Sequence, residues 1–257
     1  MTENIRNQLS VFAVALQFMT RLPGLSRADW TRKRERASVG YYPAVGIVIG
    51  AFAAIAYWLA SQLFPPLLSS LFAVAAAIVI SGALHEDGLA DVCDGVGGGQ
   101  TRDKALAIMK DSRIGAYGTL GLILSVGAKV AALSSLPADI VIAALLGGHA
   151  MSRAAILAVL ATADYVRVEG GAASAVAEKP SSVSWTVTGL TVALVVALCL
   201  LIMPLSAILY AFAGAAVLAL AMRQVFMRKL GGYTGDCLGA VQQAGELGFY
   251  LGLAAWA

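Results

Sequence analysis

Within ten residues this chain places His85, Glu86, Asp87, Asp91 and Asp94, in the stretch "HEDGLADVCD", and follows them with "GVGGG". Asp87, Asp91 and Asp94 are spaced i, i+4, i+7, which on a helix puts them within about 60° of one another on one face. Three carboxylates that close repel unless a cation sits among them. A hard divalent ion answers that need, and Mg²⁺ commonly takes a few carboxylates together with substrate phosphates. The spacing therefore predicts Asp87, Asp91 and Asp94 as metal ligands, with Gly88 and Gly95 clearing side-chain bulk beside them. A solvated acidic segment at a helix end is the plainer reading of the same residues. On a continuing helix His85 points almost opposite the aspartates, which suits a structural hydrogen bond or proton transfer better than a metal. Glu86 sits about 100° off the cluster, where it can reach a second ion.

Cationic partners follow. In "MKDSRIGAYG" (109–118) Lys110 and Arg113 stand three apart before Gly115, Gly118 and the next apolar run. Cations at a glycine-rich helix start favour phosphate, because the free N–H groups and the helix dipole both attract anions. The same residues also serve as membrane anchors. Arg153, in "GGHAMSRAAIL", lies inside an apolar segment about 15 Å from its end at 1.5 Å per residue. An arginine there is a functional candidate by default; a phosphate clamp and a structural pairing with a carboxylate both remain open. Lys129 snorkels or pairs locally. "GGYTGDCLGA" (231–240) repeats the theme of glycines, a hydroxyl and a carboxylate. Asp236 is expected as a further metal ligand, with helix capping as the alternative, and Thr234 is expected near phosphate.

The elements that must carry these groups are membrane helices. The 257 residues are 59% hydrophobic and 13% charged, against roughly 25% charged for a soluble domain. A span needs about 20 apolar residues, and six windows qualify: roughly 41–63, 67–84, 115–136, 140–163, 184–203 and 205–222. They pair into hairpins through short proline turns, "FPPL", "LPAD" and "MPL", none of which holds a lysine or arginine. The connections between pairs (21–40, 85–114, 164–183 and 223–237) are long and carry most of the basic residues. By parity they share one face, which the distribution of Lys and Arg predicts to be cytoplasmic; "RADWTRKRERA" (27–37) is its strongest marker. Residues 8–20 are short for a span. Residues 238–257 can cross only by burying Gln242, Gln243 and Glu246 against other helices. "EGGAASAVAEKPSS" (169–182) reads as a flexible loop. The expectation is an all-α polytopic membrane bundle of six to eight spans, a single embedded domain over 1–257 with no removable signal peptide. Three cysteines without C-x-x-C spacing give neither a disulfide framework nor a zinc site.

"HEDGLADVCDGVGGG", "MKDSRIGAYG" and "GGYTGDCLGA", together with "FMTRLPG" and "YYPAVGIVIG", resemble the cobalamin synthase family, adenosylcobinamide-GDP ribazoletransferase, nearly end to end. The resemblance implies a Mg²⁺-dependent transferase of the inner membrane. It would join adenosylcobinamide-GDP to α-ribazole or its 5′-phosphate and release GMP, the last assembly step of vitamin B12. The residues by themselves reach only metal-assisted phosphoryl transfer at a membrane face. On that reading Asp87, Asp91, Asp94 and Asp236 hold the metal. Lys110, Arg113, Arg153 and Thr234 take phosphate, and Glu86 or His85 takes a proton. The partners are the two substrates and the lipid bilayer, with no nucleic acid; a homo-oligomer stays open.

Three rivals share parts of the pattern. CDP-alcohol phosphotransferases also place "D-x-x-D-G" at helix ends, but here "VGGGQ" replaces the alanine and arginine that should follow. Intramembrane prenyltransferases use aspartates on Mg²⁺-diphosphate and need an apolar tunnel. A transporter would place its acids near the midplane, often within inverted repeats, whereas these acids cluster at one face.

Overall fold

The computed structural model describes residues 2–22, 30–167 and 178–257. The start of the basic run 27–37 and most of the 169–182 loop lie outside the described residues. The described chain is an all-α polytopic membrane bundle: α1 (Thr2–Met19), α2 (Arg32–Ser38), α3 (Tyr42–Ser61), α4 (Pro66–Ser81), α5 (Leu84–Gly98), α6 (Arg102–Ile108), α7 (Ala116–Ser134), α8 (Ala138–Thr162), α9 (Ser182–Leu200), α10 (Leu205–Leu230) and α11 (Gly235–Trp256). Five helical segments are long and apolar enough to cross a membrane, and the bent pair α4–α5 makes a sixth if it is counted as one.

The hairpins α3–α4, α7–α8 and α9–α10 turn where the prolines predict. Pro65, Pro137 and Pro204 each sit at the N-cap of the returning helix, where the missing N–H costs nothing. At the opposite end the charged connections are tied to one another. Arg21 N–H donates to the Ile80 carbonyl (2.7 Å), Arg102 Nε to the Leu230 carbonyl (2.8 Å) and Arg223 Nη2 to the Thr162 carbonyl (3.2 Å). Arg36 pairs with Glu178.

The 67–84 window does not run on as one straight span. α4 stops at Ser81 in a Schellman motif: Gly82 N–H donates to Val79 O (3.2 Å) and Ala83 N–H to Ile78 O (2.9 Å), and Gly82 takes a left-handed φ of 65°. Ala83 follows at φ 57°, a conformation that costs an alanine about 1–2 kcal/mol. The helices on either side of this break are bent by 92°. The acidic segment is therefore not the end of a spanning helix but a separate one, α5, lying crosswise to α4. Close packing holds it there. A side chain on Gly88 would meet the Asp236 carbonyl at 2.7 Å, so only a glycine lets α5 rest on the start of α11.

α11 carries the 238–257 segment and is not one of the five long apolar helices. It runs antiparallel against α10, with backbone so near that a Cβ on Gly214 would meet the Gly248 carbonyl at 2.2 Å, the close approach typical of small residues between membrane helices. Gln242, Gln243 and Glu246 find partners inside the bundle. Lys129 Nζ donates to Glu246 Oε1 (2.8 Å) and Gln243 Oε1 (2.7 Å). Gln242 Nε2 reaches Glu246 Oε2 (2.7 Å) and Ser152 Oγ (2.9 Å), and His149 Nδ1 lies 3.2 Å from Glu246 Oε2. Lys129 therefore pairs within the core and does not snorkel; it is 2% exposed.

Candidate active site

At the charged end, a cavity of about 190 Å³ opens beside the first turn of α5. Its polar wall carries His85, Asp87, Arg167 and Asp236; Phe18, Tyr42 and Tyr165 give it an aromatic side. His85 and Asp87 point to different faces of α5, yet both reach this space because it lies off the helix end rather than along one face.

Asp236 enters from the first turn of α11. The N-cap there is Thr234, whose hydroxyl accepts from Cys237 N–H, so the capping alternative for Asp236 does not hold. The Asp236 carboxylate instead takes a hydrogen bond from Arg167 Nη2 (2.8 Å), with Thr234 Oγ1 3.2 Å from the same oxygen. Arg167 is positioned by backbone. Tyr233 N–H donates to Asp164 O (2.9 Å) and Val166 N–H to Tyr233 O (3.0 Å), a single bridge that stitches the end of α8 to the start of α11. Arg167 Nη2 also lies 3.3 Å from the Met109 carbonyl, which puts the α6–α7 connection at the rim.

Asp91 sits half-buried on α5, beyond Asp87. Burial, then the charges of Asp236 and Asp87, push its carboxyl from the ordinary 3.8 up to about 7; Arg167 opposes them and Asp94 adds a smaller push. Such a shift marks a carboxylate first desolvated and then set among like charges.

The three-aspartate face divides. Asp94 is buried, and its two oxygens accept from Gly115 N–H (2.7 Å) and Gly118 N–H (2.8 Å) at the N-terminus of α7. A Cβ on Gly118 would meet Asp94 Oδ2 at 2.4 Å. The glycines read as phosphate binders thus enclose a carboxylate of this chain. Glu86 turns away from the cavity: its Oε1 accepts from Gln243 Nε2 (2.9 Å) in the core. Arg153 is 1% exposed and lies outside the cavity, donating from Nη1 to the His149 carbonyl (2.9 Å). At that burial the structural alternative fits its place. Lys110 and Arg113 are exposed; Arg113 grips Asp111 (2.6 Å) and holds that carboxyl down at about 2.

Among the described residues no three His, Cys, Asp or Glu side chains converge closely enough to hold an ion by themselves. Mg²⁺ usually keeps waters and binds through one or two carboxylates plus substrate phosphate. Asp87, Asp91 and Asp236 fit that looser demand, since their oxygens are hard donors and, among the described residues, only Asp236 forms an ion pair.

Sequence reasoning missed Arg167. The alternation in "YVRV" (165–168) beside "GGYTGD" was the available signal, since a short extended pair of this kind can carry one side chain to a neighbouring helix start.

Compared with known proteins, residues 11–254 match the profile of the family described as cobalamin-5-phosphate synthase. Among curated proteins, the chain is 41% identical to the adenosylcobinamide-GDP ribazoletransferase of Leptothrix cholodnii, over 96% of this chain and 95% of that one. It is 39% identical to the protein of that name from a Polaromonas species, over 95% of each, and 36% identical to that of Vibrio cholerae, over 98% and 96%. No solved structure matches the chain.

Proposed function

The chain belongs to the cobalamin-5-phosphate synthase family, and we propose that it catalyses the reaction for which its relatives are named. In that reaction adenosylcobinamide-GDP meets α-ribazole or its 5′-phosphate. The ribose 3′ oxygen bonds to the phosphorus attached to the cobinamide aminopropanol. The bond from that phosphorus to the bridging diphosphate oxygen breaks, and GMP leaves with the electron pair. The reading rests on one observation: Asp87 and Asp236 share a cavity wall with Arg167, and Asp91 lies one turn of α5 beyond Asp87.

Asp87, Asp91 and Asp236 would hold Mg²⁺, which when bound neutralises charge building on the leaving diphosphate oxygens. Arg167 adds a fixed positive charge at the same wall. Phosphoryl transfer depends mostly on positioning and electrostatics, and the hydroxyl proton passes to solvent at the open side of the cavity, where Asp87 is exposed. Asp94 acts at one remove, holding the start of α7 against α5. The exposed Lys110 and Arg113 stand beside the rim, where a donor too large for the cavity would pass. The charged end faces the cytoplasm, by its excess of Lys and Arg.

The test is GMP release by the purified protein in liposomes with adenosylcobinamide-GDP and α-ribazole phosphate, with and without Mg²⁺, for wild type and Arg167→Ala. Mg²⁺-dependent GMP with a cobalamin product, cut about 10²-fold or more in the variant, is expected. No GMP from folded wild type would discard the reaction. Unchanged turnover in Arg167→Ala would discard the site.

A further inference from the structure

The cavity holds polar atoms that the proposed phosphoryl chemistry does not use. His85 is 3% exposed and lines the cavity, yet neither ring nitrogen has a hydrogen-bond partner among the described residues. Tyr165 lines the same space, and its buried hydroxyl is also unpartnered. Buried polar atoms are rarely left this way, because each costs roughly 1–3 kcal/mol. The surfaces around them are apolar. Phe18 and Tyr42 present nearly parallel rings, 6.2 Å apart and 15° off parallel, and Tyr165 is braced edge-on by Tyr233 at 5.5 Å.

We infer that this aromatic side of the cavity is the pocket for the base of the acceptor nucleoside, with His85 as its specificity-determining residue and Tyr165 as a second contact. This rests on the functional reading above. The required ligand is flat, mostly apolar and sparing in polar atoms. A benzimidazole linked to ribose answers that description: one ring nitrogen is taken by the sugar and the other accepts a hydrogen bond. Neutral imidazole supplies one N–H donor for that nitrogen whichever tautomer it adopts, and the tyrosine hydroxyl is left to bond a hydroxyl of the attached ribose. A lipid chain would leave His85 and Tyr165 unsatisfied. A purine such as guanine carries donors and acceptors along several edges and would leave its own groups unpaired against these walls. A corrin is too large for a cavity of about 190 Å³. With the base here, its ribose extends within the same cavity toward the wall of Asp87 and Asp236.

The experiment is equilibrium binding of α-ribazole to the full chain in nanodiscs, without the nucleotide donor, with free benzimidazole and guanosine as competitors. Wild type, His85→Phe, His85→Gln and Tyr165→Phe are compared. Benzimidazole is expected to compete and guanosine is not. His85→Phe, which keeps a ring and removes the hydrogen bond, is expected to weaken α-ribazole about 10- to 100-fold, and His85→Gln to restore part of it. In turnover, His85→Phe raises KM for the acceptor and leaves KM for adenosylcobinamide-GDP unchanged. Guanosine competing as well as benzimidazole overturns the inference, as does equal weakening of both substrates. Should His85→Phe fail to fold, the wild-type competition and Tyr165→Phe still decide. Benzimidazole binding without GMP release would discard the reaction and keep the pocket; GMP release without benzimidazole competition would do the reverse.

Discussion

Two polar regions meet near Glu86, and they balance charge differently. In the core between α7, α8 and α11, Lys129 and Arg153 lie among Glu246 and Glu86, and the amides of Gln242 and Gln243 each donate to one of these carboxylates. Around the cavity, among the described residues, Asp87, Asp91 and Asp236 face one arginine, Arg167. The first arrangement sets two cations among two carboxylates, as a charge inside a membrane requires. The second is left short of positive charge, which is what a site for a metal and a diphosphate requires. Burial alone would not have told the regions apart: Arg153 looks like a substrate clamp until its surroundings are seen.

The comparison breaks most readily in the core. Lys129→Met leaves Glu246 without its ammonium, and losing one partner of a buried pair costs about 3–5 kcal/mol. The expected result is a large fall in Tm in detergent, with most of it recovered by adding Glu246→Gln; an unchanged Tm would show that this network is not structural. At the cavity the same kind of change should act on activity. Asp91→Asn is expected to lower kcat about 10²-fold or more with Tm at neutral pH no lower than wild type. A matching fall in Tm would place Asp91 with the core group.

A pH titration sharpens this point. The Asp91 carboxyl is raised in the folded protein from 3.8 to about 7. Its charged form is therefore disfavoured by folding, and stability in metal-free buffer should decline as pH rises from about 4 to about 7. That component should disappear in Asp91→Asn and shrink when Mg²⁺ is added.

Asp94→Ala removes an acceptor from the start of α7 and is expected to cost about 1–2 kcal/mol, read as a modest Tm shift. The smallest effect is expected from Arg113→Ala: Tm unchanged, and KM for the nucleotide donor raised a few-fold by loss of one exposed charge at the rim.

The hairpins were legible because each returning helix begins after a proline and each span is an apolar run of the right length. The break in α4–α5 was signalled by Gly82, yet the apolar run through Leu84 concealed it, and no propensity predicts Ala83 in a left-handed conformation. Asp87 and Asp94 were indistinguishable by spacing, since both lie on one face of α5. What separates them is the arrival of Gly115 and Gly118, supplied by another helix. Arg167 was invisible for the same reason: its partner Asp236 is 69 residues away. Gln242, Gln243 and Glu246 could be recognised as needing partners, but the sequence does not show that Lys129 and His149 provide them.

The right-angle turn at Gly82 has a consequence for how the molecule is made. α5 finds its support on α11, and the Glu86–Gln243 hydrogen bond joins residues 157 positions apart. At 5–20 residues per second, a ribosome needs on the order of ten seconds or more to bridge that gap. Through that interval the acidic helix has left α4 but has no α11 to lie on. The hairpins can enter the bilayer in sequence, each closing on its own proline turn, while the site itself is assembled only when α11 arrives. An insertion defect confined to α11 would leave a membrane protein with its hairpins in place and no catalytic centre.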